Sequence, residues 1–209
     1  MNLGLRVGDD PDIVETNRRL LKAFLPAEPK WLNQVHGTRV VDAESIADPV
    51  EADASVATSP GCVSVVMVAD CLPILITDRI GSIVAVAHAG WRGLAAGVIE
   101  NTIRAIEARP ENLLAYLGPA IGPSAFEVGD EVRDAFIAVD RAAQAAFRAH
   151  QPGKWLADLF LLARQRLAKA GLANVYGGGQ CTYCDPARFF SHRRDKVSGR
   201  MAALIWIED

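Results

Sequence analysis

The sequence predicts a layered α/β fold, strands in the middle and helices outside, and two observations predict it. One is a set of continuous, β-branched runs bounded by turn residues, "CVSVVMVADC", "PILITD" and "SIVAVAHAG", as expected of central strands buried on both faces. The other is the change of period that follows them. In "LAAGVIENTIRAIEAR" the apolar residues Leu94, Val98, Ile99, Ile103 and Ile106 fall on one helical stripe, which Pro110 stops. At 209 residues the chain can bury one sizeable core, and no repeat, low-complexity linker or composition break divides it. Residues 1–209 are therefore expected to form one domain.

The remaining elements follow from caps and breakers. Asp10 as cap, Pro11 at the first helical position and the apolar residues Ile13, Leu20, Leu21 and Phe24 predict a first helix that ends before Pro26. From Trp31, "WLNQVHGTRVVDA" reads as strand with a turn at His36-Gly37. After the central strands and the Leu94 helix, a helix is expected over Asp134 to Arg148, and another from about Lys154 to Lys169 with Gly171 as its C-terminal cap. Two Gly-Pro pairs make "LGPAIGPSAFEVG" a loop. The tail segments "VYGGGQCTYCD", "RFFSHRR" and "MAALIWIED" read as strand.

Composition narrows the partners. A net charge of -3 and a pI near 5.8 leave no basic field for nucleic acid or membrane lipid, although local arginine clusters would still hold a small anion. Asp70 and Pro73 interrupt the longest apolar run, so no membrane segment is expected. The N-terminus "MNLGLRVGDDPD" has neither the basic flank nor the apolar block of an export signal, which places the protein in the cytoplasm. In that reducing compartment the four cysteines are packing thiols, ligands or nucleophiles.

Three residues stand out because each is a metal-competent or nucleophilic group where an apolar run stops: His36 in "NQVHG", Cys71 in "VADCLP" and His88 in "AHAGWRG". A lone histidine or cysteine is more often a satisfied interior residue, but three together at strand ends, where layered α/β folds put their sites, point to a site. Gly37 and Gly90 let a backbone or ligand come close, and Pro73 fixes the chain beyond Cys71. A thiolate and two imidazoles are three ligands for zinc, with a fourth position open for water or substrate. Copper accepts the same His2Cys set, with Met67 the nearest axial candidate. The sequence separations match no local zinc motif, so any convergence must come from the fold.

Arg92 follows His88 at the predicted start of a helix, where backbone N–H groups and the dipole favour an anion such as phosphate. Arg193, Arg194 and Arg200 form a second basic group in "SHRRDKVSGR", with a charged turn as the plainer reading. Asp53 and Asp70 are carboxylates placed to orient a ligand histidine or to act as acid or base. The pair in "CTYCD" lacks the second ligand pair of a structural zinc site and the helix start of a thioredoxin-like motif, and is read as packing.

Taken together, "NQVHG", "VADCLPILI", "AVAHAGWRGLAAGVIENTI", "LGPAIGPSAFEVG" and "CTYCDPARFFSHRRDKVSGRMAALIWI" resemble the YfiH-like family, called polyphenol oxidases or multicopper-oxidase (laccase) domain proteins and later purine nucleoside phosphorylases. The resemblance implies an α-β-β-α type sandwich with central mixed sheets, related to a bacterial toxin Cys-His hydrolase-like fold. It implies that His36, Cys71 and His88 bind one metal ion, Zn2+ or Cu2+, and act in catalysis together with Arg92. Asp53, Asp70, Arg193 and Arg194 are then expected to bind substrate. Relatives usually carry a further strand and a "TRxGG"-type segment ahead of the position where this chain begins, so any substrate contact from that segment is not carried over.

Three activities follow as expectations. The first is zinc-dependent phosphorolysis of adenosine, inosine, guanosine or methylthioadenosine, with adenosine deamination as a second activity and phosphate held by Arg92. The chain lacks the H-x-E and P-C-x-x-C signature of nucleobase deaminases, so deamination would be an independent solution. The second is a copper-dependent polyphenol oxidase, although a blue copper with a trinuclear cluster calls for around ten histidines and the chain has four. The third is a metal-free hydrolase with Cys71 as nucleophile and His88 as base.

Overall fold

A computed structural model describes residues 1–208, and its layers follow from the alternation of side chains along the central strands. The chain runs through α1 (Pro11–Lys22), β1 (Val40–Asp42), β2 (Ala54–Ala57), β3 (Ser64–Val68), β4 (Leu72–Asp78) and β5 (Val84–Ala89). Next come α2 (Trp91–Ala96), α3 (Val98–Ala105), β6 (Leu113–Leu117), β7 (Glu127–Gly129), α4 (Asp130–Val139), β8 (Phe147–Gln151) and β9 (Lys154–Ala157). The chain closes with α5 (Leu159–Lys169), β10 (Asn174–Gly177), α6 (His192–Asp195) and β11 (Met201–Ile205).

The main sheet has six strands in the order β1-β2-β5-β4-β6-β10, parallel at both margins and antiparallel in the centre. On β5, Ala85, Ala87 and Ala89 face the core built with α3 and α5, whose Val98, Ile99, Leu162 and Ala163 are fully or almost fully buried. The alternate residue Val86 faces the other way, with Leu75 of β4, onto Val66, Ala203 and Ile205 of the two-stranded sheet β3-β11. That small sheet in turn presents Val65, Met67, Ala202 and Leu204 outward, where Leu21 of α1, Leu3 and Trp31 cover them. The order helix, sheet, sheet, helix is therefore written in the odd and even positions of three strands. A third, three-stranded sheet, β7-β9-β8, is hydrogen-bonded separately and puts Val128, Phe147 and Ala157 into the helix-side core.

Several expected elements change. The stretch from Trp31 forms strand only at β1, because the N–H groups of Val35, His36 and Gly37 all go to the Asp53 carboxylate instead of a ladder. The Leu94 helix breaks into α2 and α3 at Gly97, whose φ is 106°. The helix expected over Asp134 to Arg148 is α4, starting earlier and ending at the extended Asp140. A 3-10 turn over Arg141–Ala146 and the strand β8 follow. Here pairing with β9 overrides the helical propensity of an alanine-rich run. Lys154 opens β9 instead of a helix, and α5 starts after Asp158, whose carboxylate accepts the Leu161 N–H at 3.0 Å. "RFFSHRR" is no strand but leads into the short α6, capped by Ser191. On α1 the helix and its Asp10 cap form as expected, yet Ile13 and Leu20 point to solvent, as does Phe24 just beyond the helix, and Val14 is the buried residue. Among the described residues no helix is long and apolar enough to cross a membrane.

Candidate metal centre

Three segments converge at one end of the two central strands of the main sheet. Because β4 and β5 are antiparallel, with Pro73 opposite His88, the turn before β4 and the end of β5 lie side by side. Cys71 sits in that turn and His88 near the end of β5. His88 has the parity of Val86, so its ring leaves the helix-facing core and enters the space beside the small sheet. His36 comes from the irregular segment before β1. Its Nε2 lies 3.7 Å from Cys71 Sγ, and the two imidazoles meet edge to face at 4.8 Å between centroids. One donor atom from each of the three residues lies within 4.8 Å of the others.

Asp53 assembles this arrangement from below. It is fully buried just ahead of β2, and its two oxygens take four donors. Oδ1 accepts from the His36 N–H at 2.9 Å and from His88 Nδ1 at 2.7 Å, and Oδ2 accepts from the N–H groups of Val35 at 3.1 Å and Gly37 at 2.7 Å. Two consequences follow. The carboxylate stabilises the left-handed φ of 60° at His36, a conformation rare for any residue but glycine. It also fixes the proton of His88 on Nδ1, so Nε2 is left to face Cys71.

The electrostatics match a ligand set. Burial works against ionising Asp53, but the hydrogen bonds and charge of His88 and the backbone N–H groups hold its carboxyl below the ordinary value. Burial likewise opposes the Cys71 thiolate, yet the neighbouring His88 and His36 outweigh it and bring the thiol down to about 6. For His88 burial favours the neutral ring, while the Cys71 thiolate and Asp53 push it up to about 9. Without a metal the pair is held as thiolate and imidazolium, and a dication replacing the imidazolium proton would keep the same charge logic.

The residues present fit a metal ion. One sulfur and two imidazole nitrogens converge with room beside them, and the room is kept by glycine. A Cβ on Gly90 would stand 2.9 Å from both Cys71 Sγ and His36 Cδ2, and one on Gly93 would stand 2.8 Å from the Gly37 carbonyl oxygen. Gly90→Ala is therefore expected to lower metal affinity by roughly tenfold or more, the scale of losses when ligand orientation is disturbed. Titration with a competing chelator measures it, and an unchanged affinity would contradict the crowding.

The cluster opens into a cavity of about 880 Å³ whose wall includes Arg6, Arg18, Trp31, Gln34, Met67, Arg92, His192 and Arg200. Arg92 is exposed there, with its guanidinium 4.5 Å from the Trp91 ring centroid. The six-residue α2 gives little macrodipole, so the side-chain charge carries the anion argument at this position. Arg18 lies over Trp31 at 3.9 Å and donates to the Leu3 carbonyl. Burial lowers the pKa of Arg200 from its ordinary value, with Cys71 and Asp70 opposing that shift.

The residues expected at the substrate divide. Asp53 sits under the ligands and away from the cavity wall. Asp70 also lies off that wall, and its carboxylate accepts from Thr182 Oγ1 at 2.6 Å, Ser191 Oγ at 3.0 Å and the Arg193 N–H at 2.7 Å. Arg193 donates to the Glu127 carbonyl and Arg194 to the carbonyls of Thr182, Tyr183 and Phe189. Asp70 braces the tail segment from beside it and Arg194 from within it, and Arg193 ties it to β7. Of the arginines in "SHRRDKVSGR" only Arg200 reaches the cavity. Arg18, Gln34 and His192 were not singled out from the sequence. Arg18 was hidden as a polar residue on a surface helix, and the other two lie in segments whose path only the fold sets. The "CTYC" thiols, expected as packing, are half-buried at Cys181 and exposed at Cys184.

Comparison with known proteins identifies the family. The family model described as multi-copper polyphenol oxidoreductase laccase matches residues 1–208. A protein named purine nucleoside phosphorylase YfiH from Escherichia coli (strain K12) is 56% identical over 99% of this chain and 86% of its own length. One from Pseudomonas aeruginosa, purine nucleoside phosphorylase PA4543, is 52% identical over 100% of this chain and 86% of its own. The crystal structure of Neisseria meningitidis protein NMB0706 superposes with a TM-score of 0.96 at 49% identity, covering 100% of this chain and 86% of that one. That of Bacillus licheniformis hypothetical protein YfiH gives 0.93 at 28% identity, covering 99% and 85%. The chain belongs to the YfiH-like family, whose model carries the laccase description.

Proposed function

We propose that this chain is a zinc-dependent enzyme of the cytoplasm that splits purine nucleosides with phosphate and deaminates adenosine as a second activity. The substrates we infer are adenosine, inosine, guanosine and methylthioadenosine. The observation that carries the proposal is the convergence of His36, Cys71 and His88 at the base of a cavity that also exposes Arg92. The naming of the relatives as purine nucleoside phosphorylases supports the substrate class.

His36 Nε2, Cys71 Sγ and His88 Nε2 would hold the ion. When bound, zinc supplies a Lewis-acid charge that polarises a bound oxygen or activates water. Asp53 keeps the His88 proton on Nδ1 and holds the backbone of His36, so both rings are preorganised. Arg92 holds phosphate from the cavity wall, and Arg200 adds a second positive charge there. In phosphorolysis a phosphate oxygen bonds to C1′ of the ribose as the bond from C1′ to the purine nitrogen breaks. The base leaves with the electron pair and takes up a proton.

The test is release of hypoxanthine from inosine by the zinc-loaded protein. Release that requires inorganic phosphate and yields ribose 1-phosphate is expected. Absence of phosphate-dependent turnover with all four nucleosides would overturn the reading. The laccase description of the family favours copper as a second reading. Among the described residues only one cluster of three His, Cys, Asp or Glu side chains has metal-binding geometry, and His150 is spent beside Glu127 at 3.5 Å, so any copper would act as a single ion. Phenol oxidation by copper-loaded protein, exceeding nucleoside turnover by the zinc form, would favour it.

A further inference from the structure

We propose that Cys181 and Cys184 form a reversible dithiol–disulfide site on the surface of the protein, separate from the metal centre. The two sulfurs lie 2.6 Å apart, in the turn that follows β10. A disulfide bond measures about 2.05 Å, so closing the pair needs an approach of only about half an ångström. Neither thiol is sealed in the core: Cys181 is half-buried and Cys184 exposed.

The surrounding chain holds the sulfurs in this register. Cys181 Sγ accepts from the Gly122 N–H at 3.4 Å and from the Cys184 N–H at 3.2 Å. Gly122 is required for this approach, since a Cβ there would stand 3.0 Å from Cys181 Cβ. Ser124 Oγ reaches Cys184 Sγ at 3.8 Å from the same Gly-Pro loop. Thr182, between the two cysteines, is fully buried. Its N–H donates to the Ala120 carbonyl at 3.0 Å and its hydroxyl to Asp70 at 2.6 Å. A turn pinned on its inner side, with both sulfurs on its outer side, has little entropy left to lose when the ring closes. A packing role would put these sulfurs among apolar side chains, as Cys62 is put against the cluster of Ala43, Ala57 and Val84.

The co-reactant is a small-molecule disulfide. Cys184, the exposed thiol, attacks as its thiolate on one sulfur of that disulfide. The sulfur–sulfur bond of the reagent breaks, and the first small thiol leaves and takes a proton. Cys181, as thiolate, then attacks Cys184 Sγ in the mixed disulfide and expels the second small thiol. Two electrons and two protons pass from the protein pair to the reagent, and a monothiol reductant in excess reverses both steps.

The experiment uses the full chain with its metal bound, treated with oxidised glutathione as the probe. Thiols titrated after unfolding with a chelator, which frees Cys71 from the ion, are expected to fall from the four of the sequence by two, with the intact mass lower by two hydrogens and a peptide map joining Cys181 to Cys184. Excess reduced glutathione should restore all four. Cys184→Ser should retain a stable mixed disulfide or no adduct, and never the mass loss. The proposal is overturned if the wild-type protein keeps all its thiols. Stable glutathione adducts without a 181–184 bridge would equally overturn it.

Discussion

Cys71→Ala is expected to lose metal affinity by more than about a hundredfold, since disturbing a mere supporting partner of a ligand already costs 10–100-fold. Nucleoside turnover should fall with it, to the limit of detection. The substitution removes the only sulfur from the cluster and leaves two imidazoles whose charge balance is gone, because His88 owes its raised pKa largely to the Cys71 thiolate. The fold should survive. Cys71 lies in a turn and is only partly buried, so the stability change should stay within about 1 kcal/mol. Metal content, turnover and urea unfolding on one preparation separate these effects. A Cys71→Ala protein that keeps full turnover would remove the site from the chemistry. Turnover by the wild type that survives a chelator but is lost in Cys71→Ala would point to the metal-free hydrolase with Cys71 as nucleophile.

Asp53→Asn should have the second largest effect, on both metal binding and stability. The four groups that meet the carboxylate are all donors: three backbone N–H groups and the His88 ring N–H. An asparagine brings one oxygen and one NH2, so whichever way the amide is turned, a donor faces donors in a fully buried place. An unsatisfied buried group costs about 1–3 kcal/mol, and the loss of the charge adds to it. Metal affinity should drop by about 10–100-fold as His36 and His88 lose their orientation. The sign of the pH dependence follows from the lowered carboxyl pKa. Stability contributed by Asp53 is complete above the ordinary carboxylate value of about 3.9 and is lost as acid carries the pH through the lower folded value. The difference between wild type and variant should therefore shrink only in strong acid. A difference between wild type and variant that vanishes on going from pH 7 to pH 5 would contradict the assignment.

Much of this was legible in the chain. The odd and even positions of "SIVAVAHAG" show a strand buried on both faces, and the same parity decides that His88 turns with Val86 toward the cavity. Histidine, cysteine and glycine at the ends of apolar runs marked three side chains that the fold brings together. What the sequence hid was long-range. Asp53 was legible as a carboxylate to orient a histidine, but not the four donors that reach it from two segments, nor the broken strand at Val35–Gly37 that follows from them. Asp70, Arg193 and Arg194 carry charges that suggest a substrate, yet they are spent on holding the tail: Asp70 on Thr182, Ser191 and the Arg193 N–H, Arg193 on the Glu127 carbonyl of β7, and Arg194 on tail carbonyls. The alanine-rich run before β8 shows the same limit, because helical propensity is local and pairing with β9 is not.

The central claim is that three side chains distant in sequence hold one ion. X-ray absorption at the zinc edge of the loaded wild-type protein tests it directly. One sulfur at about 2.3 Å and two imidazole nitrogens at about 2.0–2.1 Å are predicted, with the sulfur absent in Cys71→Ala. A spectrum with no sulfur, or with two sulfurs that persist in that variant, would contradict it.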